Sequence, residues 1–286
     1  WTNKCLSYSG RLQLIQATLL VIQNFWISNT ILPKATMLEC EKIMRTFLWS
    51  GSAVKRRAKV PWANVCTPKA EGRLGIRRVG DCNKASMLKL IWDVLKGRPL
   101  LWVRWSRVEI LKICSFWQME RKQSLSITWK YLLDLRAQAS TNMVYSIGSR
   151  SSWSIWYEPW FQNTLLVSRL GYRVMYESGL SRNASLAEVI SDSAWNWPAN
   201  VRQLRDISLA CEGIPIGQCD AIDWQAKGRS FSFKSAWEAI RAHHSVAPWA
   251  KTMWFPGAIP RHSFCMWLTF HKAHSTLDNL QRLGIV

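Results

Sequence analysis

The chain has 286 residues, 48 % of them hydrophobic and 20 % charged, with 38 Lys and Arg against 18 Asp and Glu for a formal net charge of +20. That balance excludes a disordered chain and leaves room for one large core or two modest ones. No apolar run reaches the roughly 20 residues that span a bilayer, and the stretch from Ala17 to Leu32 is broken by Gln23, Asn24, Ser28 and Asn29. The start, Trp-Thr-Asn-Lys, has neither an initiator Met nor a signal-peptide pattern, so the expectation is a fragment of a longer protein.

The charge is uneven. Residues 1–130 hold 23 Lys and Arg against 7 Asp and Glu, a net +16, while the other 156 residues hold 15 against 11, a net +4. A field so concentrated asks for a polyanion, with nucleic acid ahead of an anionic membrane surface or a merely soluble basic protein. The 19 tryptophans add flat apolar surface, mostly core, with a few rings left for bases or sugars. Eight cysteines without a CxxC pair point to reduced thiols in an intracellular protein, nuclear or cytoplasmic.

In chain order, Ser7 is placed to cap a helix whose Leu12, Ile15, Leu19 and Ile22 recur at three- and four-residue steps on one face. Thr36-Met37-Leu38-Glu39 has the spacing of a capping box and predicts a second helix through Ile43, Phe47 and Leu48 to a stop at Ser50-Gly51. The basic run Lys55, Arg56, Arg57 and Lys59 follows at once. A third helix is predicted over 81–96, with Met87, Leu88, Ile91 and Leu95 in phase and Gly97 as its stop. A fourth, over 100–113, interleaves Trp102, Trp105, Val108 and Leu111 with Arg104 and Arg107. That pattern suits a groove against a duplex, and equally a bundle with buried rings. Residues 124–145 read as a helix from Ser126, and the alternation over 147–160 reads as a hairpin. After the short patches of 162–222, Asp220 to Trp224 and Gly228 to Trp237 predict two short strands around a glycine turn, then a helix through Ile240.

Several of these stretches carry a likeness when taken together and in order. Leu-Ser-Tyr-Ser-Gly-Arg-Leu-Gln-Leu-Ile at 6–15, Leu32-Pro33-Lys34, Phe47-Leu48-Trp49-Ser50-Gly51, and Pro68-Lys69 leading into Glu71-Gly72-Arg73-Leu74-Gly75-Ile76-Arg77 resemble the segment after the polymerase palm in non-LTR (LINE-type) retrotransposon reverse transcriptases, especially those of plants. Family members carry a second glycine where Arg73 stands, which predicts a distorted turn there. They also show Ile-Gly-Asp-Gly where this chain has Ile147-Gly148-Ser149-Arg150, and Asp where it has Glu158. From Asp220 the likeness leads into the region called the reverse transcriptase zinc-binding domain. It continues through Trp254, Ile259-Pro260-Arg261-His262, Phe264, Trp267, Thr276-Leu277 and Leu283-Gly284-Ile285.

The resemblance implies a mainly α, thumb-like basic helical region over 1–130, then a smaller α+β region. The latter would comprise a connecting segment, 131–225, and the N-terminal part of the zinc-binding domain, 226–286, cut before its Cys and His ligands. A polymerase needs carboxylates converging on two magnesium ions. No adjacent Asp-Asp occurs, and Asp220 and Asp223 read as a turn and a strand edge. The resemblance therefore places the palm before Trp1, makes this chain no enzyme by itself, and reserves Mg2+ and Zn2+ for the full-length parent. His262, Cys265, His271 and His274 are ligand types, and His271 and His274 are spaced to share a helical face. The interleaved Phe264, Trp267, Leu268 and Phe270 argue for core instead. The expected partners are RNA and DNA as a template–primer duplex and the rest of the parent polyprotein, with no membrane. The expected phosphate contacts are Lys55, Arg56, Arg57, Lys59, Arg73, Arg77 and Arg78. Two alternatives stand beside this reading: a degenerate or co-opted interaction module, and an independent helical nucleic-acid-binding protein.

Overall fold

The structure, a computed structural model, describes residues 6–50, 58–112, 114–192, 194–274 and 276. About half of the described residues are helical. The helices are α1 (Tyr8–Leu14), α2 (Leu20–Asn29), α3 (Lys34–Ser50), α4 (Val79–Lys96), α5 (Leu101–Trp105), α6 (Ile127–Asp134), α7 (Arg136–Ser140), α8 (Leu166–Glu177), α9 (Arg202–Cys211), α10 (Phe233–Ile240), α11 (Ala250–Met253) and α12 (Pro260–Phe270). The strands β1 (Met143–Ser146), β2 (Ile190–Ser191), β3 (Ala194–Trp195) and β4 (Ala221–Trp224) form two antiparallel pairs, β1 with β4 and β2 with β3. Among the described residues no helix is long and apolar enough to cross a membrane. The chain divides into two compact units, Trp1–Ser86 with Ile240–Val286, and Met87–Ala239. The thumb-like stretch expected over 1–130 thus contributes to both.

In the first unit Ser7 caps α1 as its sequence predicts, its hydroxyl accepting from the Gly10 N–H at 3.2 Å. The predicted stripe then fails for a local reason. Residues Ile15–Leu19 form a wide π turn, which shifts the phase of everything after it. Leu12 and Ile15 are buried, but Ile22 is 56 % exposed and Ile27 takes the inward position instead. The capping box at Thr36 is also overridden. α3 is already under way at Lys34, with the Met37 N–H donating to the Pro33 carbonyl at 3.1 Å, so Thr36 lies inside the first turn. The expected stop at Gly51 lies outside the described residues. Asn83 of α4 closes the end of α2: its side-chain amide donates to the carbonyls of Ile27 and Thr30 at 2.9 and 2.8 Å and accepts from the Leu32 N–H at 3.3 Å. These are helix-end groups that would otherwise be orphaned.

The second unit has its own core, built from Ile155, Trp156, Leu166, Val174, Leu186, Val189, Leu204 and Ile207. Within it Trp160 and Trp197 stack nearly parallel with Trp195, which packs against the core, the ring centroids 5.5 to 6.1 Å apart. α4 ends at Gly97 (φ 62°), as its sequence predicts, and the Arg107 guanidinium caps it by donating to the Val94 and Leu95 carbonyls at 2.8 to 3.2 Å. The predicted fourth helix is α5 followed by a wide turn, Ser106–Leu111. The predicted helix over 124–145 breaks after α7, and 143–146 are strand β1.

No hairpin forms over 147–160. Gly148 bridges to Gly217 and Ser154 to Ser185, because β1 has taken β4 as its partner, Met143 facing Trp224. The second strand expected after Gly228 is likewise absent from the described residues, and Gly228 (φ 76°) only closes a turn. Both aspartates of this stretch serve turns. Asp220 accepts from the Gly148 and Ser152 N–H groups and the Ser151 hydroxyl at 2.9 to 3.3 Å, and Asp223 accepts from the Gly228 N–H at 2.7 Å.

Candidate nucleic-acid interface

Net charge separates the two units. The first carries 19 Lys and Arg against 5 Asp and Glu, a net +14, and the second 19 against 13, a net +6. Of the seven cations expected to meet phosphate, Lys55, Arg56 and Arg57 lie outside the described residues. The other four belong to the first unit and sit in three neighbourhoods. Lys59 lies over the Tyr8 ring, 5.3 Å from its centroid, and Arg11 lies over the same ring at 5.5 Å. Tyr8 in turn stacks on Phe264 of α12 at 5.8 Å and 14°. Arg78 pairs with Glu41 of α3 at 3.6 Å, with half of its own side chain exposed.

Arg73 and Arg77 flank an extended run in which Leu74 and Ile76 are fully buried, so alternation turns both arginines away from that core. Both are half-buried, and one terminal N–H group of Arg73 has no hydrogen-bond partner among the described residues. The turn before this run is not distorted by Arg73. Gly72 (φ 76°) and Gly75 (φ 75°) take the left-handed positions, and Arg73 is spared one.

The C-terminal segment packs on that turn. The Gly72 carbonyl accepts from the indole N–H of Trp267 at 3.0 Å and from His271 Nε2 at 3.2 Å, using both lone pairs. Glu71 and Arg241 form an ion pair at 2.5 Å with both side chains more than nine-tenths buried, and the Ala247 N–H donates to the Ala70 carbonyl at 3.0 Å. Burial holds the His271 pKa below its ordinary value, while the Gly72 hydrogen bond opposes the shift and Arg73 adds to it.

The candidate metal ligands are spread along this segment. His262 and Cys265 are exposed on α12, and the helix stops at Phe270, so His271 and His274 do not share a helical face. His271 is engaged by Gly72, and His274 lies against the Cys265 carbonyl at 2.9 Å and the Thr269 hydroxyl at 3.0 Å. Among the described residues no group of three or more His, Cys, Asp and Glu is arranged to hold an ion.

Arg11 and Lys69 are cations that the sequence reading passes over. Arg11 carries a readable signal, since it stands three residues after Tyr8 on a helix. Lys69 carries none. It lies 4.6 Å over the ring of Trp254, a neighbour that only the fold supplies. In the second unit, Glu158 lines a cavity of about 330 Å³ with Ser115, Arg107 and Lys112. Ser115 donates to it at 2.5 Å, and burial pushes its pKa up to about 7 against that hydrogen bond.

Residues 231–286 match the family described as zinc-binding in reverse transcriptase. A protein of Arabidopsis thaliana named "Putative ribonuclease H protein" is 25 % identical over 302 residues, covering 99 % of this chain and 47 % of its own length. An "Uncharacterized mitochondrial protein" of the same plant is 24 % identical over 135 residues, covering 46 % of this chain and 88 % of its own length. The chain thus spans about half the length of the first of these relatives. No solved structure matches it. Through the match over 231–286, the C-terminal part of this chain is reverse-transcriptase-related.

Proposed function

We propose that this chain is the part of a LINE-type (non-LTR) retrotransposon reverse transcriptase that follows the palm, and that its first unit grips an RNA–DNA template–primer. The observation that carries the reading is the concentration of a net +14 in the unit that also contains most of the reverse-transcriptase-related segment. Lys59, Arg73, Arg77 and Arg78, with Lys55, Arg56 and Arg57, contact phosphates. Such contacts position a duplex without reading its sequence. The carboxylates that hold magnesium for polymerisation belong to another part of the parent protein, and this chain supplies grip rather than chemistry.

Filter or anisotropy binding of an RNA–DNA hybrid, set beside duplex DNA of the same sequence, tests the reading. The hybrid should bind at least as tightly as duplex DNA, and log K should fall steeply with log salt. Changing Lys55, Arg56, Arg57 and Lys59 together to Ala should lower that slope by roughly 3 to 4 and weaken binding at low salt by at least about tenfold. A quadruple variant that binds the hybrid like wild type would sink the reading and leave an interaction module as the better account.

A further inference from the structure

A cavity of about 180 Å³ opens in the first unit between α1 and the start of α12, and none of the seven expected phosphate contacts lines it. Its walls are Gln13 of α1, Gln16 of the wide turn that follows it, Lys69, and Trp254, Phe255 and Ser263 of the C-terminal segment. From its lining we infer that this cavity receives the base of one unpaired nucleotide of single-stranded RNA or DNA. The inference rests on the nucleic-acid reading above and adds a base-binding subsite to it.

Size comes first. A protein cavity of ~150 Å³ accepts one benzene ring, so this one takes a single planar ring and excludes a base pair. The chemistry of the walls then narrows the ring. Phe255 keeps 55 % of its surface exposed beside the opening, an unspent stacking face of the kind that single-strand-binding proteins offer to bases. Trp254 adds a second aromatic side chain to the lining, so a planar ring entering the cavity meets apolar surface as well as the Phe255 ring.

Gln13 is exposed and brings a carboxamide that both donates and accepts, as the edge of a base does. Gln16 and Ser263 are already committed, to the carbonyls of Leu74 at 3.0 Å and Met253 at 2.9 Å, and hold the walls in place. Lys69, over the Trp254 ring, supplies a positive charge for the phosphate attached to the bound nucleoside. An apolar ring would leave the Gln13 carboxamide and the lysine unanswered, and a free phosphate would leave the aromatic walls unused. A nucleotide answers all of them.

The test compares two oligomers of about a dozen units, oligothymidylate and its abasic counterpart with the same phosphates and no bases, against the full chain by fluorescence anisotropy. The expected result is that wild type binds oligothymidylate about tenfold tighter than the abasic strand. Phe255→Ala and Gln13→Ala should lose most of that preference while binding the abasic strand unchanged. Both residues are exposed, and thermal melts would confirm that the variants stay folded. Equal and measurable affinity of wild type for the two oligomers would overturn the pocket and leave the phosphate-gripping reading intact. Folded variants that keep the full preference would also overturn it. Failure to bind either oligomer at low salt would overturn both.

Discussion

Glu158 stands where the resembling family carries the shorter Asp, and its surroundings set how it behaves. The carboxylate is 9 % exposed, accepts from the Ser115 hydroxyl, and has its pKa raised by burial from 4.5 to about 7. The direction of the linkage follows from which state lets go of the proton first. Below pH 4.5 the folded and unfolded chains both hold it, and Glu158 contributes nothing to the pH dependence. Between 4.5 and 7 the unfolded chain releases its proton while the folded chain keeps it, so stability falls as pH rises, and it levels off above 7. The full cost at alkaline pH is about 3 kcal/mol, each tenfold change in proton affinity counting ~1.4 kcal/mol. Glu158→Gln keeps an acceptor for Ser115 and removes the charge. Thermal melts of the two proteins at about pH 5 and pH 8 should show the variant gaining on wild type at the higher pH. A difference that does not change between those pH values would show that burial does not govern this carboxyl group.

Among the elements, the turn over 68–75 depends on what lands on it. A Cβ built on Gly72 falls 2.8 Å from the Trp249 ring, whereas one on Gly75 meets Lys69 at an ordinary 3.4 Å, and both glycines have positive φ. Gly75→Ala should therefore cost about 1 kcal/mol of backbone strain, and Gly72→Ala about 2 to 3 kcal/mol, because Trp249 must also move. Denaturant melts that rank the two variants the other way would refute this packing.

What could be read ahead of the structure follows the reach of each signal. Ser7 caps as its sequence predicts because a cap bonds three residues away, and Ser126, from which a helix is predicted, caps α6 in the same way. The periodicity of 79–96 survives because one uninterrupted helix carries it. β1 was hidden inside an apparent helix because its partner, β4, lies 78 positions further along. Ile22 misled because a single wide turn rotated its face outward. The site divides in the same way. Arg73 and Arg77 stand out in the sequence through charge clustering, while Lys69 on Trp254 and the cavity around it are visible only once residues 254–263 pack beside residues 9–16.

At the scale of the whole molecule, the C-terminal segment completes a core begun by residues 6–86. Trp267 is fully buried and spends its indole N–H on Gly72, Phe264 stacks on Tyr8, and Arg241 neutralises Glu71 with both side chains more than nine-tenths buried. Leaving Glu71 buried without its arginine would alone cost about 3 to 5 kcal/mol, a large share of the 5 to 15 kcal/mol that holds a typical domain together. Residues 87–239, by contrast, close a core of their own around Trp156 and Leu204. Two truncations separate these cases. A fragment of residues 87–239 should unfold in one cooperative transition, with its tryptophans shielded from a quencher beforehand. A fragment of residues 226–286 should show no such transition, because α12 would then present Phe264 and Trp267 to water. Adding a second fragment, residues 1–86, to the short piece should restore a cooperative melt by supplying the turn at Gly72 and the face of α1. If residues 226–286 melt cooperatively alone, that segment is an independent domain, and its packing against the first 86 residues is not what folds it.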